Sequence, residues 1–185
     1  MIYILSGIAK AGKTLLSAEI LEKHKISHFS TDYIMMMLAR GNSKLSIDVN
    51  ASDSTVAKSI EPYVYGMIKT MIENKDTYLI EGVHFTTDFS RKLLDEFKDD
   101  IRIIYLGYKD ISKEDKIKEV KKYKHLMNNP WLFDFPLMPL EEIIEYMIGE
   151  SKRIYDECQE HNLEYIDVYD INKQKNDIIS MLLHK

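Results

Sequence analysis

Short apolar stretches alternate with longer amphipathic stretches along this chain. The apolar stretches are typical of buried strands and span residues 2–5, 26–30, 77–81, 101–106 and 164–168. The amphipathic stretches have apolar residues at helical spacing and span 14–25, 31–40, 54–74, 88–97, 111–123, 140–161 and 173–183. This alternation predicts a five-stranded parallel sheet with helices on both faces, which is a three-layer α/β/α fold.

Three interruptions qualify this pattern. Residues 42–53 are polar and predict a loop, and Gly41 just before them is a candidate helix cap. Pro62 lies inside a helical stretch and predicts either a kink or a break between two helices. Residues 127–139 hold three of the four prolines and the single Trp, which predicts irregular structure, and Trp131 there suggests either a hydrophobic flap or satellite packing.

Composition narrows the class of protein. A length of 185 residues with 45 % apolar and 30 % charged residues suits one globular domain. The net charge of −5 argues against nucleic acid as a partner. The single cysteine, Cys158, excludes an intrachain disulfide framework. No apolar run approaches the roughly 20 residues of a membrane helix, and residues 1–5 lack the basic flank of a signal peptide. We therefore expect a cytoplasmic protein with no membrane partner.

The clearest motif is G-I-A-K-A-G-K-T at residues 7–14. It fits G-x(4)-G-K-[ST] through Gly7, Gly12, Lys13 and Thr14, between a predicted strand and a predicted helix. Such a loop wraps an anion in backbone N–H groups, and the following helix adds its positive end. Lys13 would reach the β- and γ-phosphates of a nucleotide, and the Thr14 hydroxyl would bind Mg²⁺.

The residues inside this loop, Ile8, Ala9, Lys10 and Ala11, are expected to contribute backbone contacts to the phosphates. Lys10 would also add charge near the phosphates, or it is a solvated surface lysine. Both interpretations stay open on the sequence alone.

Polar residues also follow the predicted second and third strands. Ligands of open parallel sheets lie at the carboxyl ends of the strands, so Asp32 and Glu81 should lie beside the phosphate loop. Asp32 would orient or deprotonate an acceptor hydroxyl or help to hold Mg²⁺, unless Asp32 or Thr31 only caps the next helix. Glu81 would bind Mg²⁺ through water, or it is an ordinary acid at a strand end. His84 would contact the acceptor, or it lies on a surface loop.

The segments G-I-A-K-A-G-K-T, S-T-D and L-I-E-G-V-H resemble those of P-loop small-molecule kinases. The last two are similar to those of 2-phosphoglycerate kinase-like proteins, and zeta-toxin-like kinases share the general plan. The resemblance covers the first half of the chain with specific motifs, and the second half only in the order of its elements. It implies the strand order 2-3-1-4-5, an acceptor-side helical insert at 42–74 and a lid at 107–139.

The resemblance also implies that ATP and Mg²⁺ are used to phosphorylate a hydroxyl of a small molecule. Adenine would rest on the loop after the last strand, at Asn172 and Lys173. Family lids carry arginines, whereas this chain has none between Leu106 and Arg153, and many of these kinases have glycine where this chain has Lys10. Lys118, Lys121 and Lys122 are the candidate lid cations, or they belong to a solvated helix. Arg153 is the candidate catalytic arginine.

The sequence therefore supports a leading hypothesis and an alternative. The leading one is an ATP-dependent small-molecule kinase. The alternative is a nucleotide-binding regulatory module or slow ATPase, which the missing lid arginines and Lys10 favour. A Ras-like GTPase is not expected, because no D-x-x-G occurs and the Asn172–Lys173 pair is followed by Lys175 instead of aspartate. The identity of the acceptor and the oligomeric state stay open.

Overall fold

A parallel sheet forms the centre of the protein. The computed structural model describes residues 1–124 and 138–184, and within them the sheet has five strands in the order 2-3-1-4-5. The strands are β1 (Ile2–Gly7), β2 (Ser27–Ser30), β3 (Tyr78–Glu81), β4 (Ile101–Gly107) and β5 (Glu164–Asp167). Every neighbouring pair is parallel. The predicted fold class and strand order are confirmed.

Helices connect the strands, because a parallel pair needs a long crossover. In the described part of the chain they are α1 (Lys13–His24), α2 (Thr31–Gly41), α3 (Asp53–Glu73), α4 (Thr87–Glu96), α5 (Lys113–Lys122), α6 (Leu140–Glu160) and α7 (Ile171–Leu183). A short 3₁₀ turn, Ser43–Leu45, follows α2. The predicted helices are thus all present, with ends shifted by one or two residues.

The sheet separates two apolar cores. Ile2 and Ile4 of β1 pack with residues of α3 and α4 on one face, whereas Leu5 packs with residues of α1 and α7 on the other. All three side chains are fully buried. Successive strand residues point to opposite faces, and each such burial contributes about 1.5–3 kcal/mol. The two cores therefore fix the register of β1, and with it the position of the loop that follows.

Two helix details differ from the sequence expectations. Helix α3 runs unbroken through Pro62, so the predicted break does not occur. Pro62 and Lys58 are exposed, so water can bind the carbonyl that the proline leaves without a helical donor. Gly41 is not a cap but lies inside α2, and Asn42 caps the helix by donating its backbone N–H to the Leu38 carbonyl at 3.1 Å.

The predicted insert and lid are described to different extents. The insert comprises the 3₁₀ turn and α3, and the polar loop between them is shaped by local bonds such as Asn50 N–H to the Asp48 carboxylate. Of the predicted lid at 107–139, the structure describes α5 and its flanks, whereas Trp131 and its neighbours lie outside the described residues. No helix in the described ranges is long and apolar enough to cross a membrane.

Candidate active site

The loop between β1 and α1 can only be built with glycine at both ends. Gly7 has φ +111°, and a Cβ there would lie 2.0 Å from the Leu106 carbonyl oxygen. Gly12 has φ +92°, and a Cβ there would lie 2.6 Å from the side chain of Ile171. Both positions combine a left-handed backbone with a close neighbour. The structure thus explains the two glycines of the motif through β4 and α7, which pack against the loop.

Lys13 lies under this loop. Its side chain is buried, and its Nζ donates to the carbonyls of Gly7 at 3.1 Å and Ile8 at 2.7 Å. Burial lowers the pKa of Lys13 to about 8, against the opposing effect of Glu81, Asp32 and Asp53. The ammonium therefore lacks full compensation by the protein, and an additional anion beside it would favour its charged form.

The amino end of α1 adds to this positive site. Its N-cap is Gly12, which has no side chain to accept a bond from the first helical N–H groups. Side chains do cap other described helices, at Ser30, Ser52, Thr86, Ser112 and Asp170. The exposed side chain of Thr14 lies in the first turn of α1, next to Lys13. An uncapped helix start beside a buried lysine is suited to bind phosphate groups.

Two carboxylates flank the loop at the ends of neighbouring strands. Glu81 pairs in register with Leu5 of β1 and with Ser30 of β2, so β2 and β3 end at the same level, two residues before the end of β1. It is 7 % exposed, and burial raises its pKa, whereas Lys13 and a bond from Ser30 lower it. The structure therefore places Glu81 near Lys13, at the edge of the sheet where the strand ends were expected to meet.

Asp32 lies in the first turn of α2, with 64 % of its side chain exposed. It is not the N-cap, and neither is Thr31. Ser30 is the cap, and its side chain accepts from Asp32 N–H at 3.2 Å. The capping alternative is therefore wrong, and the Asp32 carboxylate is left to interact with Lys13 and His84.

His84 is a buried residue, not a surface one, with 4 % exposure. Its Nδ1 lies 2.9 Å from Thr31 Oγ1 and 3.7 Å from the Asp32 carboxylate. Burial lowers the pKa of His84, whereas Asp32 and Asp53 raise it. Gly82 permits this arrangement, because a Cβ there would lie 1.9 Å from Thr31 Oγ1. The imidazole is thus held beside Asp32, where it can relay or accept a proton.

A third carboxylate near the loop, Asp53, could not be predicted from the sequence. It lies in the first turn of α3, where an acid is ordinarily read as a helix-end charge. Burial raises the pKa of Asp53, with opposing contributions from His84 and Lys13. These interactions place Asp53 near Lys13 and His84, at an exposed position. Only the packing of α3 reveals this, since no motif includes the residue.

Arg153 lies in α6, and two glutamates of the same helix bind it. Its guanidinium is 2.8 Å from Glu150 and also pairs with Glu157, and these bonds raise its pKa. Glu157 in turn accepts from Thr87 at 3.2 Å. The residue stays a candidate cation for the transferred phosphoryl group, but it is already held by two carboxylates.

The predicted lid lysines belong to α5, and their side chains are exposed to solvent. Lys118 pairs with Asp115 at 3.0 Å, Lys122 lies over the ring of Tyr123, and Lys121 is exposed. No bond or ion pair in the described residues joins them to Lys13, Asp32 or Glu81. They stay candidate lid cations only.

A cavity of about 220 Å³ lies between α5 and the start of α7, beside the predicted adenine position. Tyr123, Tyr169 and Asp170 are among its walls. Asn172 donates its side-chain amide to the Tyr123 hydroxyl at 3.2 Å, and Lys173 is 3.5 Å from Asp170. A larger cavity of about 500 Å³ is lined by Met1, Ile101 and Glu164 at the amino ends of strands, away from the ligand edge of such sheets.

The residues at the loop fit Mg²⁺ only together with a nucleotide. No group of three or more His, Cys, Asp and Glu side chains in residues 1–124 and 138–184 could hold a metal ion by itself. Mg²⁺ ordinarily needs only one or two carboxylates when phosphates and water supply the other ligands. Thr14, Glu81 and Asp32 supply oxygen atoms of the required type, and Glu81 and Asp32 both interact electrostatically with Lys13, which precedes Thr14.

Comparison with solved structures identifies the architecture. The chain has the P-loop kinase fold. It superposes on shikimate kinase from Acinetobacter baumannii in complex with shikimate, with a TM-score of 0.57, 16 % identity, and 98 % of this chain and 92 % of that chain covered. Gluconokinase from Sinorhizobium meliloti 1021 gives a TM-score of 0.55 and 12 % identity over 98 % of this chain and 90 % of that one.

A sugar kinase from Janibacter sp. HTCC2649 gives a TM-score of 0.55 at 11 % identity, with 98 % of this chain and 93 % of that chain covered. No protein-family model matches the sequence, and no curated protein matches it closely enough to count as a relative. At these identities the comparisons establish the fold alone, because one fold hosts many functions.

Proposed function

We propose that this protein is an ATP-dependent phosphotransferase that moves the γ-phosphate of Mg-ATP to a hydroxyl group of a small molecule. The observation that carries the proposal is the buried Lys13 ammonium at an uncapped helix start, with Glu81 and Asp32 at the adjoining strand ends. That combination offers a phosphate cradle, a metal position and a proton acceptor within one site.

The nucleotide half of the site uses residues 7–14. Their backbone N–H groups and Lys13 bind the phosphates, and Thr14 and Glu81 would hold Mg²⁺, which neutralises phosphate charge when bound. Asn172, Lys173 and the cavity beside Tyr123 take the adenine ring. The fold that the chain shares with proteins named shikimate kinase and gluconokinase supports this assignment.

The acceptor half uses Asp32 and His84. The acceptor oxygen forms a bond to the γ-phosphorus as the bond to the ADP oxygen breaks, and the acceptor proton passes to the Asp32 carboxylate. His84, 3.7 Å from that carboxylate, keeps it oriented. The polar loop that begins at residue 42 and helix α3 as far as residue 71 wall the acceptor pocket. The S-T-D and E-G-V-H segments support a 2-phosphoglycerate kinase-like branch of the fold, whose general plan zeta-toxin-like kinases share.

The test is ADP release from Mg-ATP with and without a panel of hydroxyl-bearing metabolites, followed by mass spectrometry for a product 80 Da heavier than the acceptor, the mass that one phosphoryl group adds. We expect ADP release to depend on one class of acceptor. Nucleotide binding without stimulation by any acceptor would contradict the kinase assignment.

One observation favours a second candidate, a nucleotide-binding regulatory module or slow ATPase. Arg153 is bound by Glu150 and Glu157, and Lys118 is bound by Asp115, so neither side chain is directed to a transferred phosphoryl group. The same assay separates the two functions, because the module binds ATP tightly and releases ADP at a rate that no acceptor changes.

A further inference from the structure

The bend of the phosphate loop lies at Lys10, a residue that is not glycine. Its φ is +61°, in the left-handed region that side chains other than those of glycine and asparagine rarely adopt. Such a conformation lowers the stability of the fold by about as much as the loss of one hydrogen bond, so it persists only where neighbouring groups hold it.

Two side chains from distant parts of the chain bind the carbonyls on either side of the bend. Tyr108, just after β4, donates its hydroxyl to the Ala9 carbonyl at 2.8 Å. Lys116, in the middle of α5, donates its Nζ to the Lys10 carbonyl at 3.0 Å across 106 residues of sequence. Both side chains are almost completely buried, Lys116 with 1 % exposure. We call Tyr108 and Lys116 the loop clamp.

The Lys116 ammonium has two further partners besides the Lys10 carbonyl. Its Nζ lies 2.8 Å from the Glu119 carboxylate and 3.8 Å from the centre of the Tyr108 ring. Burial lowers the pKa of Lys116, whereas Glu119 raises it. A buried ammonium is costly unless it is paired in this way. Helix α5 otherwise consists mostly of solvated charges, so an apolar residue would suit this position better if packing were its only role.

The geometry of the peptide bond gives the clamp a consequence for ligand binding. In a trans peptide, the carbonyl of one residue and the N–H of the next point in opposite directions. The structure has no cis peptides among its described residues. Carbonyls of Ala9 and Lys10 that point out to the clamp therefore turn the N–H groups of Lys10 and Ala11 the other way, toward the inside of the loop.

We propose that Lys116, together with Tyr108, is a positioning residue that aims the backbone N–H groups of Lys10 and Ala11 at the bound nucleotide phosphates. The proposal rests on the proposed function, since it assigns a task in nucleotide binding. It makes Lys116 different in kind from the other lysines of α5: Lys116 acts on the loop and not on the phosphates. It also couples α5, and with it the start of the lid region, to the nucleotide.

The test compares Lys116→Met, which keeps the buried volume, with Tyr108→Phe, which removes one oxygen. Lys113→Met on the same helix is the matched control, because Lys113 pairs with Glu145 at 2.9 Å and has no part in the proposed site. Mg-ADP affinity is measured by calorimetry below the unfolding transition of each variant. We expect each clamp variant to raise the Kd about 5-fold to 30-fold, the equivalent of one or two hydrogen bonds. The double variant should raise the Kd by less than the product of the two single effects. The control variant should keep the Kd of the unmodified protein.

Two readouts separate positioning from stability. Unchanged Kd values in variants that only melt earlier would overturn the proposal, because a purely structural clamp predicts that result. Amide hydrogen exchange of Lys10 and Ala11 in the nucleotide-free protein is the second readout, and it should become faster in both clamp variants. If the unmodified protein bound no Mg-ADP, the proposed function would fail. Amide exchange would then decide the clamp alone, with faster exchange supporting it and unchanged exchange overturning it.

Discussion

The phosphate loop and the proposed acceptor side of the site differ in how firmly the rest of the protein holds their side chains. In the loop, Lys13 is buried under two carbonyls and the bend is held by Tyr108 and Lys116. On the acceptor side, Asp32 keeps 64 % of its side chain exposed and Arg153 is bound by its own helix. The backbone of the phosphate loop is thus held in place by buried side chains, whereas the Asp32 carboxylate is open to solvent.

The largest effect is expected on the acceptor side, from Asp32→Asn. Loss of the proton acceptor should lower kcat by about 100-fold to 1000-fold, while the Kd for Mg-ATP changes less than threefold. Asp88→Asn is the matched control, since Asp88 occupies the same second position of α4 but lies at no phosphate loop. Steady-state kinetics and calorimetry on both variants check the split. Equal losses in the two variants would mean that Asp32 only stabilises a helix end.

A large effect on stability is expected in the loop from Gly7→Ala. The new Cβ would meet the Leu106 backbone at 2.0 Å, in a left-handed conformation, so the free energy of unfolding should fall by about 2–4 kcal/mol. The control is Gly66→Ala in α3, where nothing lies within 4 Å and alanine should add about 0.5–1 kcal/mol. Urea denaturation of both variants measures the difference. A tolerated Gly7→Ala would show that the loop is less constrained than described.

The pH dependence of binding gives an intermediate effect. Because burial lowers the pKa of Lys13 to about 8, the free protein loses this charge above pH 8, and the Kd for Mg-ATP should rise up to about tenfold per pH unit. At pH 8, binding should take up about half a proton, measured by calorimetry in two buffers of different ionisation enthalpy. The lowered pKa of Lys13 affects the stability of the fold in the opposite direction from nucleotide binding. The unfolded chain keeps the proton up to its ordinary 10.5, so this residue makes the folded state more stable as pH rises from 8 to 10.5. Proton release on binding would contradict the assignment.

The smallest effect is expected from Arg153→Gln. Its guanidinium is already neutralised by Glu150 and Glu157, so kcat should fall less than about tenfold and the Kd for Mg-ATP should not change. Kinetics with saturating acceptor provide the measurement. A loss of a hundredfold or more would show that Arg153 leaves its glutamates and reaches the transferred phosphoryl group, which would make the acceptor side more organised than this structure suggests.

The sequence predicted the parts of the molecule that depend on local pattern. The strand-loop-helix around Gly7 and Gly12 and the alternation of elements were sufficient to place Lys13, Glu81 and Asp32 at one edge of the sheet, since parallel strands end together. The burial of Lys116 could not be predicted from local pattern. In sequence Lys116 is one of several lysines in a charged helix, and only the packing of α5 on the loop buries it. Asp53 and Thr31 are similar cases, because their partners are distant in the chain.

Calorimetric titration of Mg-ATP into the unmodified protein and into Lys13→Ala tests the central claim most directly, with Lys23→Ala on the exposed side of α1 as the control. The account predicts one saturable site in the unmodified protein and in Lys23→Ala, and a Kd about 100-fold higher in Lys13→Ala through loss of a buried charged donor. No binding to the unmodified protein, or equal affinity in the folded Lys13→Ala variant, would contradict it.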